Sequence, residues 1–457
     1  MLLNGFIESP SDGELSSCHR LAQAGVTRFM EILEASPEVP ERKIGAEFES
    51  HLVSLTGDGF ALAPLEDFNR SLPDPRLKPE IGRAQFEYCM PPAELSLSTI
   101  SCWEAESRDV LCTVAGLMER EQIVPLQLGL PPVVTTQDLT REMLFHGRRF
   151  DYGEREWSRR LQARTDSGLI LPSLNGFSPI DLGFAGVRSA LQLHIDLPKC
   201  PIEAARYWNA ALLITAPVLA AFTASPLFLN RPSGDLEVRI RLWEELEDFD
   251  RGRVFLGPGW VRSADEVLRA YAEKPFLYLG EDLNCNDPLR WLRIQVKNLW
   301  PHLRLIPESA AGATHWRIEN RAFPALPPRQ SAELAAMYYS LLNGVLSSTK
   351  YRNFDESLRF SSVEENFYSA AREGLDGKVT WRGGVRTTFR ELFRDELSGL
   401  AGIGSSQLEG DNREWLDYLQ PACARAIDGE TIAHRMLNAH RAGSLNELVM
   451  ELLSESF

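Results

Sequence analysis

Gly45-Ala46-Glu47-Phe48-Glu49 is the stretch on which the reading of this chain turns. It lies between apolar residues, Ile44 before it and Leu52 and Val53 after it, and reads as the start of a strand. Side chains alternate along a strand, so Glu47 and Glu49 point to the same face, roughly 7 Å apart along the chain. Two like charges on one face repel unless something cationic lies between them, and a divalent metal is one solution. Taken alone, a solvated acidic strand face is the simpler account. The residues further along the chain change the balance.

At 457 residues there is room for one large domain or two to three ordinary ones. With 44% hydrophobic and 25% charged residues, the composition is that of a soluble globular protein. The formal net charge of −16 repels phosphate backbones, which disfavours a nucleic-acid partner. The first ten residues lack a basic segment and a long apolar run, so no signal peptide is expected. The most apolar run, Ala210 to Leu229, is interrupted by Pro217 and Pro226 and reads as a buried helix, leaving no membrane span. The cysteines (Cys18, Cys89, Cys102, Cys112, Cys200, Cys285, Cys423) are odd in number and never form a CxxC pair. That usage points to a reduced, cytoplasmic protein without structural zinc.

Helical spacing is expected over 13–35, 94–121, 202–224 and 332–346, with the chain mostly helical from Arg329 onward. Alternation predicts strands at 44–53, 83–90 (closed by Pro91-Pro92), 189–197, 236–242 and 316–323. These strands are too irregularly spaced for βαβ units, so a mixed or antiparallel sheet with helices on one side is expected. The stretch holding Arg155, Arg159, Arg160 and Arg164 reads as a solvated charged helix.

Several strands carry charged residues on one face: Glu47 with Glu49, Glu87, Gln192 with His194 and Asp196, Glu237 with Arg239 and Arg241, and Arg317 with Glu319 and Arg321. Carboxylates hold magnesium through hard oxygens, and the metal then takes nucleotide phosphates as further ligands. Arginines clamp phosphate or carboxylate bidentately. Glu80 stands seven residues before Glu87, so a turn, with Gly82 available, must intervene for the two to converge. No Walker A, HExxH or GxSxG motif is present.

At these residues the chain resembles the carboxylate–amine ligases of the type 2 glutamate–cysteine ligase group. The resemblance runs through Gly45-Ala-Glu-Phe-Glu49, Glu80 to Pro91, Gln192-Leu-His194, Ser225-Pro226 with Val238-Arg239-Ile-Arg-Leu-Trp243, Ile318-Glu319-Asn-Arg321, and Asn366 to Asp376. The segments stand in family order. Three positions depart from the family pattern: Gln192, Val238 and Asn320.

The resemblance implies an α+β, glutamine-synthetase-like fold, a curved and largely antiparallel sheet forming a trough with helices packed outside. It implies one catalytic domain over 1–457, its C-terminal helical part from about 329. It implies an ATP-dependent ligase that phosphorylates a carboxylate and lets an amine attack the acyl phosphate. Glu47, Glu49, Glu80, Glu87 and Glu319 are then the magnesium (or manganese) ligands. Arg239 and Arg321 contact the nucleotide or the acid, Glu47 also serves the nucleotide, and His194 contacts substrate. A small carboxylic acid, glutamate first, and an amine are the implied partners; homo-oligomer formation stays open. Two alternatives remain: another ATP-dependent phosphotransferase on this fold, or a non-catalytic protein binding nucleotide or amino acid.

Overall fold

The acidic stretch does begin a strand, a longer one than expected. In the computed structural model, which describes residues 12–37, 42–56, 59–145, 148–169, 173–247, 252–274, 285–310, 313–408 and 412–457, β1 spans Lys43–Thr56. It is the hub of an eight-stranded sheet. The others are β2 (Gly59–Leu62), β3 (Leu77–Pro79), β4 (Gln85–Glu94), β5 (Ile123–Leu126), β6 (Ala190–Asp196), β7 (Leu303–Ala310) and β8 (Ala313–Pro324). Their order is β3-β4-β1-β6-β8-β7, with β2 and β5 also paired to β1, and every pairing is antiparallel. The sheet curls into a half-barrel, the trough that the resemblance implied.

Alternation sorts the two faces. Ile44 stands opposite Ile195, Ala46 opposite Leu193 and Phe48 opposite Leu191, and all six are buried. With Ile318 and Leu305 they make an apolar face, covered by helices α3 (Pro201–Ala221) and α4 (Pro328–Ser347). Both helices start on proline, whose fixed φ suits the first turn and whose missing N–H is not needed there. Helix α3 is apolar all round and buried almost throughout, which suits a helix wrapped on every side. Two polar contacts fix the helices to the sheet. Tyr339 Oη donates to the His194 carbonyl at 2.8 Å, and Asn320 Nδ2 donates to Thr215 Oγ1 at 2.8 Å. Helices α1 (Asp12–Ala35) and α2 (Leu97–Leu117) flank this layer.

Three differences from expectation have physical reasons. Segment 236–242 is not a strand: Arg239–Arg241 is a helical turn that continues as a π-helix over Leu242–Glu247. Its leading backbone donors go to the end of the helix Phe360–Glu373, Leu236 and Glu237 both reaching the Ala371 carbonyl, instead of to a neighbouring strand. Strand β4 continues through Pro91-Pro92 to Glu94, because the register against β1 shifts between Ile44 and Ala46 and that bulge absorbs the missing donors. Strand β7 went unforeseen because Pro307 interrupts its alternation; as an edge strand it tolerates a proline.

Beyond α4 the chain is helical as expected, apart from a hairpin of Lys378–Trp381 with Val385–Thr388 that turns at Gly383-Gly384. The cysteines are all free thiols. No described helix is long and apolar enough to cross a membrane.

Candidate active site

Directly opposed residues of antiparallel strands share a face. Glu49 opposes Glu87, Glu47 opposes both Cys89 and Gln192, His194 opposes Glu319, and Glu319 opposes Arg304. All therefore line the inside of the curl. Glu80 joins them through the turn the spacing demanded. Lys78 pairs with Glu87 across β3 and β4, and the chain reverses at 81–84. Gly82 is required there, since a Cβ would sit 2.1 Å from the Gly186 carbonyl oxygen.

The carboxylates fall into two sets. In the first, ligand atoms of Glu47, His194 and Glu319 lie within 4.8 Å of one another. Glu319 receives Arg304 bidentately, Nη2 at 2.9 Å and Nε on the second oxygen, with Arg321 Nη1 at 3.9 Å. Burial acts to raise the Glu319 carboxyl, but these two guanidinium groups hold it down at about 2. Burial likewise opposes ionisation of Glu47, yet His194 and Arg321 prevail and hold it below the usual carboxylate range. At Glu47 the neighbouring His194 and Arg321 outweigh burial and the charge of Glu319.

In the second set, Glu49, Glu80 and Glu87, cations are scarce. Burial, then the charges of Glu80, Glu47 and Glu49, pushes Glu87 up to about 9. Lys78 Nζ, 3.7 Å away and largely solvated, does not offset this. Burial and then Glu80 push Glu49 to about 8, although it accepts Ala190 N–H at 2.8 Å and Gln192 Nε2 at 2.6 Å.

The departures from the family pattern now have structural roles. Gln192 holds Glu49 in place. Asn320 Oδ1 accepts the Ala322 N–H at 3.2 Å and so fixes the register shift between Asn320 and Phe323. Bulges re-aim side chains, and this one leaves Arg321 beside Glu319, Glu47 and Glu49, stacked 5.4 Å from the Trp300 ring centroid. Val238 is fully buried and fills the core.

Arg239 is not on the sheet. It comes in from the helical turn, fully buried, with Nε on Glu237 at 2.6 Å, Nη2 on the Ala322 carbonyl at 3.0 Å and its guanidinium over Trp243. Its Nη1 has no hydrogen-bond partner among the described residues. Arg241 points elsewhere, to Asp235 and Glu245. Sequence reasoning missed Arg304; the alternation Leu303-Arg304-Leu305 was the available signal.

A cavity of about 460 Å³ opens at the Lys43 end of β1, lined by Ile44, Met90 and Pro92 as well as by Glu47, His194 and Arg317. Another, of about 510 Å³, lies between α2, α4 and the C-terminal helices, but its arginines are already engaged: Arg108 with Glu104, Arg329 and Arg425 with Glu333, Arg435 with Glu455. The trough residues fit a divalent cation. Among the described residues His194 Nε2 is buried with no hydrogen-bond partner, 3.4 Å from Glu47 Oε1, and the second set concentrates hard oxygen donors with little internal counter-charge.

A family model described as glutamate–cysteine ligase family 2 (GCS2) matches residues 43–451. No curated protein matches the chain. Among solved structures, the glutamate–cysteine ligase (gshA) of Francisella tularensis, in complex with AMP, superposes with a TM-score of 0.58 over 92% of this chain and 89% of that one, at 12% identity. A bifunctional glutathione synthetase from Pasteurella multocida gives 0.48 over 96% and 52%, at 14% identity. The ligase PafA, in complex with the prokaryotic ubiquitin-like protein Pup, gives 0.42 over 93% and 68%, at 13% identity. At such identities the first likeness is one of fold.

Proposed function

The chain belongs to glutamate–cysteine ligase family 2, and from that premise we propose that its trough joins a small carboxylic acid to an amine, with ATP entering at the Glu47 end and the acid at the Arg321 end. Membership makes it an ATP-dependent carboxylate–amine ligase, an enzyme that forms a carbon–nitrogen bond. The observation that carries the placement is the asymmetry of the curled face. A cavity lies at one end, an arginine stacked on Trp300 stands toward the other, and carboxylates crowd between them.

A carboxylate is a poor electrophile, and phosphorylation by ATP gives it a leaving group. The cavity at the Lys43 end of β1, with Pro92 on its lining, is open space for a base, and the AMP in the Francisella complex supports a nucleotide on this fold. Glu47, Glu49, Glu80, Glu87 and Glu319 would hold magnesium or manganese, with His194 beside Glu47 and Glu319. Such a cation neutralises phosphate charge during transfer. Arg321, bent into the trough by the bulge, offers a fork to the transferred phosphoryl or to the acid. Arg239 braces β8 through Ala322, and its unpartnered Nη1 is what it can offer to a ligand. Glutamate is the first acid to try.

The test is a trapping reaction. The protein, ATP and magnesium are incubated with glutamate and then with a wider panel of acids, with hydroxylamine as a generic nucleophile. A hydroxamate, with stoichiometric phosphate, reports the acyl phosphate. Release of a stable phosphorylated compound would instead assign a kinase on this fold. If no acid yields either product while nucleotide still binds, a binding protein replaces the ligase reading.

A further inference from the structure

At the Arg321 end of the trough stands a buried histidine that the phosphorylation step does not use. His302 immediately precedes β7, and its carbonyl accepts the Arg321 N–H at 2.8 Å. That bond extends the β7–β8 register by one residue, since Asn320 opposes Leu303 and Glu319 opposes Arg304. Alternation therefore sets His302 on the inner face, between Trp300 and Arg304. Both of those neighbours touch trough groups, Trp300 the Arg321 guanidinium and Arg304 the Glu319 carboxylate. His302 Nε2 lies 2.8 Å from Oε1 of Glu244, on the π-helix Leu242–Glu247. An ionised carboxylate only accepts, so Nε2 carries the ring proton and Nδ1 keeps the lone pair. Trp243 and Phe367 pack against the ring, their centroids 5.8 and 4.9 Å away, and fix its orientation. Glu244 stays partly open to solvent, whereas His302 is sealed. Glu364, on the helix Phe360–Glu373, is close enough to feel Glu244: burial, then that charge, raises its carboxyl. Two acidic side chains and a ring nitrogen with a lone pair thus gather at this end.

We propose that His302 is the base that takes a proton from the incoming amine, with Glu244 holding the ring and Glu244 and Glu364 drawing in the ammonium. The inference rests on the ligase reading of the trough. Near neutral pH an amine arrives as an ammonium, which has no lone pair with which to attack. Nδ1 takes one proton, and Glu244 stabilises the imidazolium that forms. The freed lone pair then forms the C–N bond to the acyl carbon, and the C–O bond to phosphate breaks with its electron pair on the phosphate. That leaving phosphate takes the second amine proton, the amide keeps the third, and His302 returns its own to solvent. His302 is then a catalytic residue and Glu244 a positioning residue.

The experiment compares two nucleophiles on one acyl phosphate. The full chain, ATP, magnesium and the acid that yields hydroxamate are given either hydroxylamine or methylamine near neutral pH. Hydroxylamine is mostly unprotonated there and needs no base, whereas methylamine is almost wholly an ammonium. Wild-type protein is expected to form both hydroxamate and methylamide. His302→Gln should slow methylamide formation about a hundredfold and hydroxamate formation by no more than about threefold. Glu244→Gln can still accept the ring proton but lacks the charge, so methylamide should fall about tenfold with hydroxamate again spared. A merely structural role would lower both products together. Proportional loss in a folded His302→Gln chain, or methylamide within about threefold of wild type, overturns the proposal. So does a wild-type chain that makes hydroxamate but no methylamide. If His302→Gln does not fold, Glu244→Gln decides by the same split. If wild type yields no hydroxamate from any acid, the ligase reading itself falls and takes the inference with it.

Discussion

Glu319 and Glu87 are both buried carboxylates on the inner face of one sheet, and the fold treats them in opposite ways. Glu319 lies between Arg304 and Arg321 and stays ionised down to about 2. Glu87 lies among other carboxylates and holds its proton to about 9. The first set is balanced by the protein's own cations; the second is left in want of one. The contrast teaches where an external cation relieves most repulsion, and it can be broken by experiment.

The largest effect should be on turnover. Glu87→Gln and Glu319→Gln should each lower kcat about a thousandfold, scored by phosphate release with the acid that yields hydroxamate. Wild-type rates in either variant would remove that residue from the site. Next comes stability, where the two variants should part. Glu319→Gln strands buried guanidinium charge and should cost about 3–5 kcal/mol in denaturant unfolding. Glu87→Gln mimics the protonated carboxyl and removes the cost of holding that proton far above its ordinary pKa, so the metal-free chain at pH 8 should be as stable as wild type or more so. Equal losses in both would erase the distinction.

A smaller effect belongs to Arg321. Arg321→Lys keeps the charge but loses the fork, so kcat should fall about a hundredfold while nucleotide affinity stays within about threefold. Calorimetry with a non-hydrolysable analogue separates the two. The smallest effect is a slope with pH. Folded Glu49 and Glu87 bind protons more tightly than the unfolded chain does, since their ordinary value is 4.5 and burial lifts them to about 8 and 9. Stability from these groups is therefore full below about pH 4.5 and declines as pH rises toward 9. Glu319 has the opposite sign and loses its contribution as pH falls from 4.5 toward 2. The metal-free Tm should peak near pH 5 and drift down by several degrees to pH 9, and saturating Mg2+ should flatten the alkaline side. A flat metal-free profile would contradict the second set's repulsion.

Much of this was legible in the residues. Period-two alternation revealed β1, β4, β6 and β8, because each has one apolar and one charged face. The same pattern misled at 236–242, where Glu237 and Arg239 share a side because they form a buried ion pair within a helical turn. Arg304 holds Glu319 ionised, yet no spacing announces that a guanidinium on a neighbouring strand will meet a given carboxylate. Register fixes that, and register is a property of pairing, which a one-dimensional reading does not contain.

The hub position of β1 has one more consequence. Its backbone is hydrogen-bonded to β2, β4, β5 and β6, and Glu47 and Glu49 both sit on it. These amides lie in a strand inside the sheet with neighbours to part before solvent reaches them, so they should exchange with deuterated solvent only through global opening. The trough can lose an edge strand and keep its centre, but it cannot lose its acidic centre and remain a sheet. Local fraying, the route by which many enzymes misplace a catalytic group, is closed to this pair: wherever the chain is folded, they are in register.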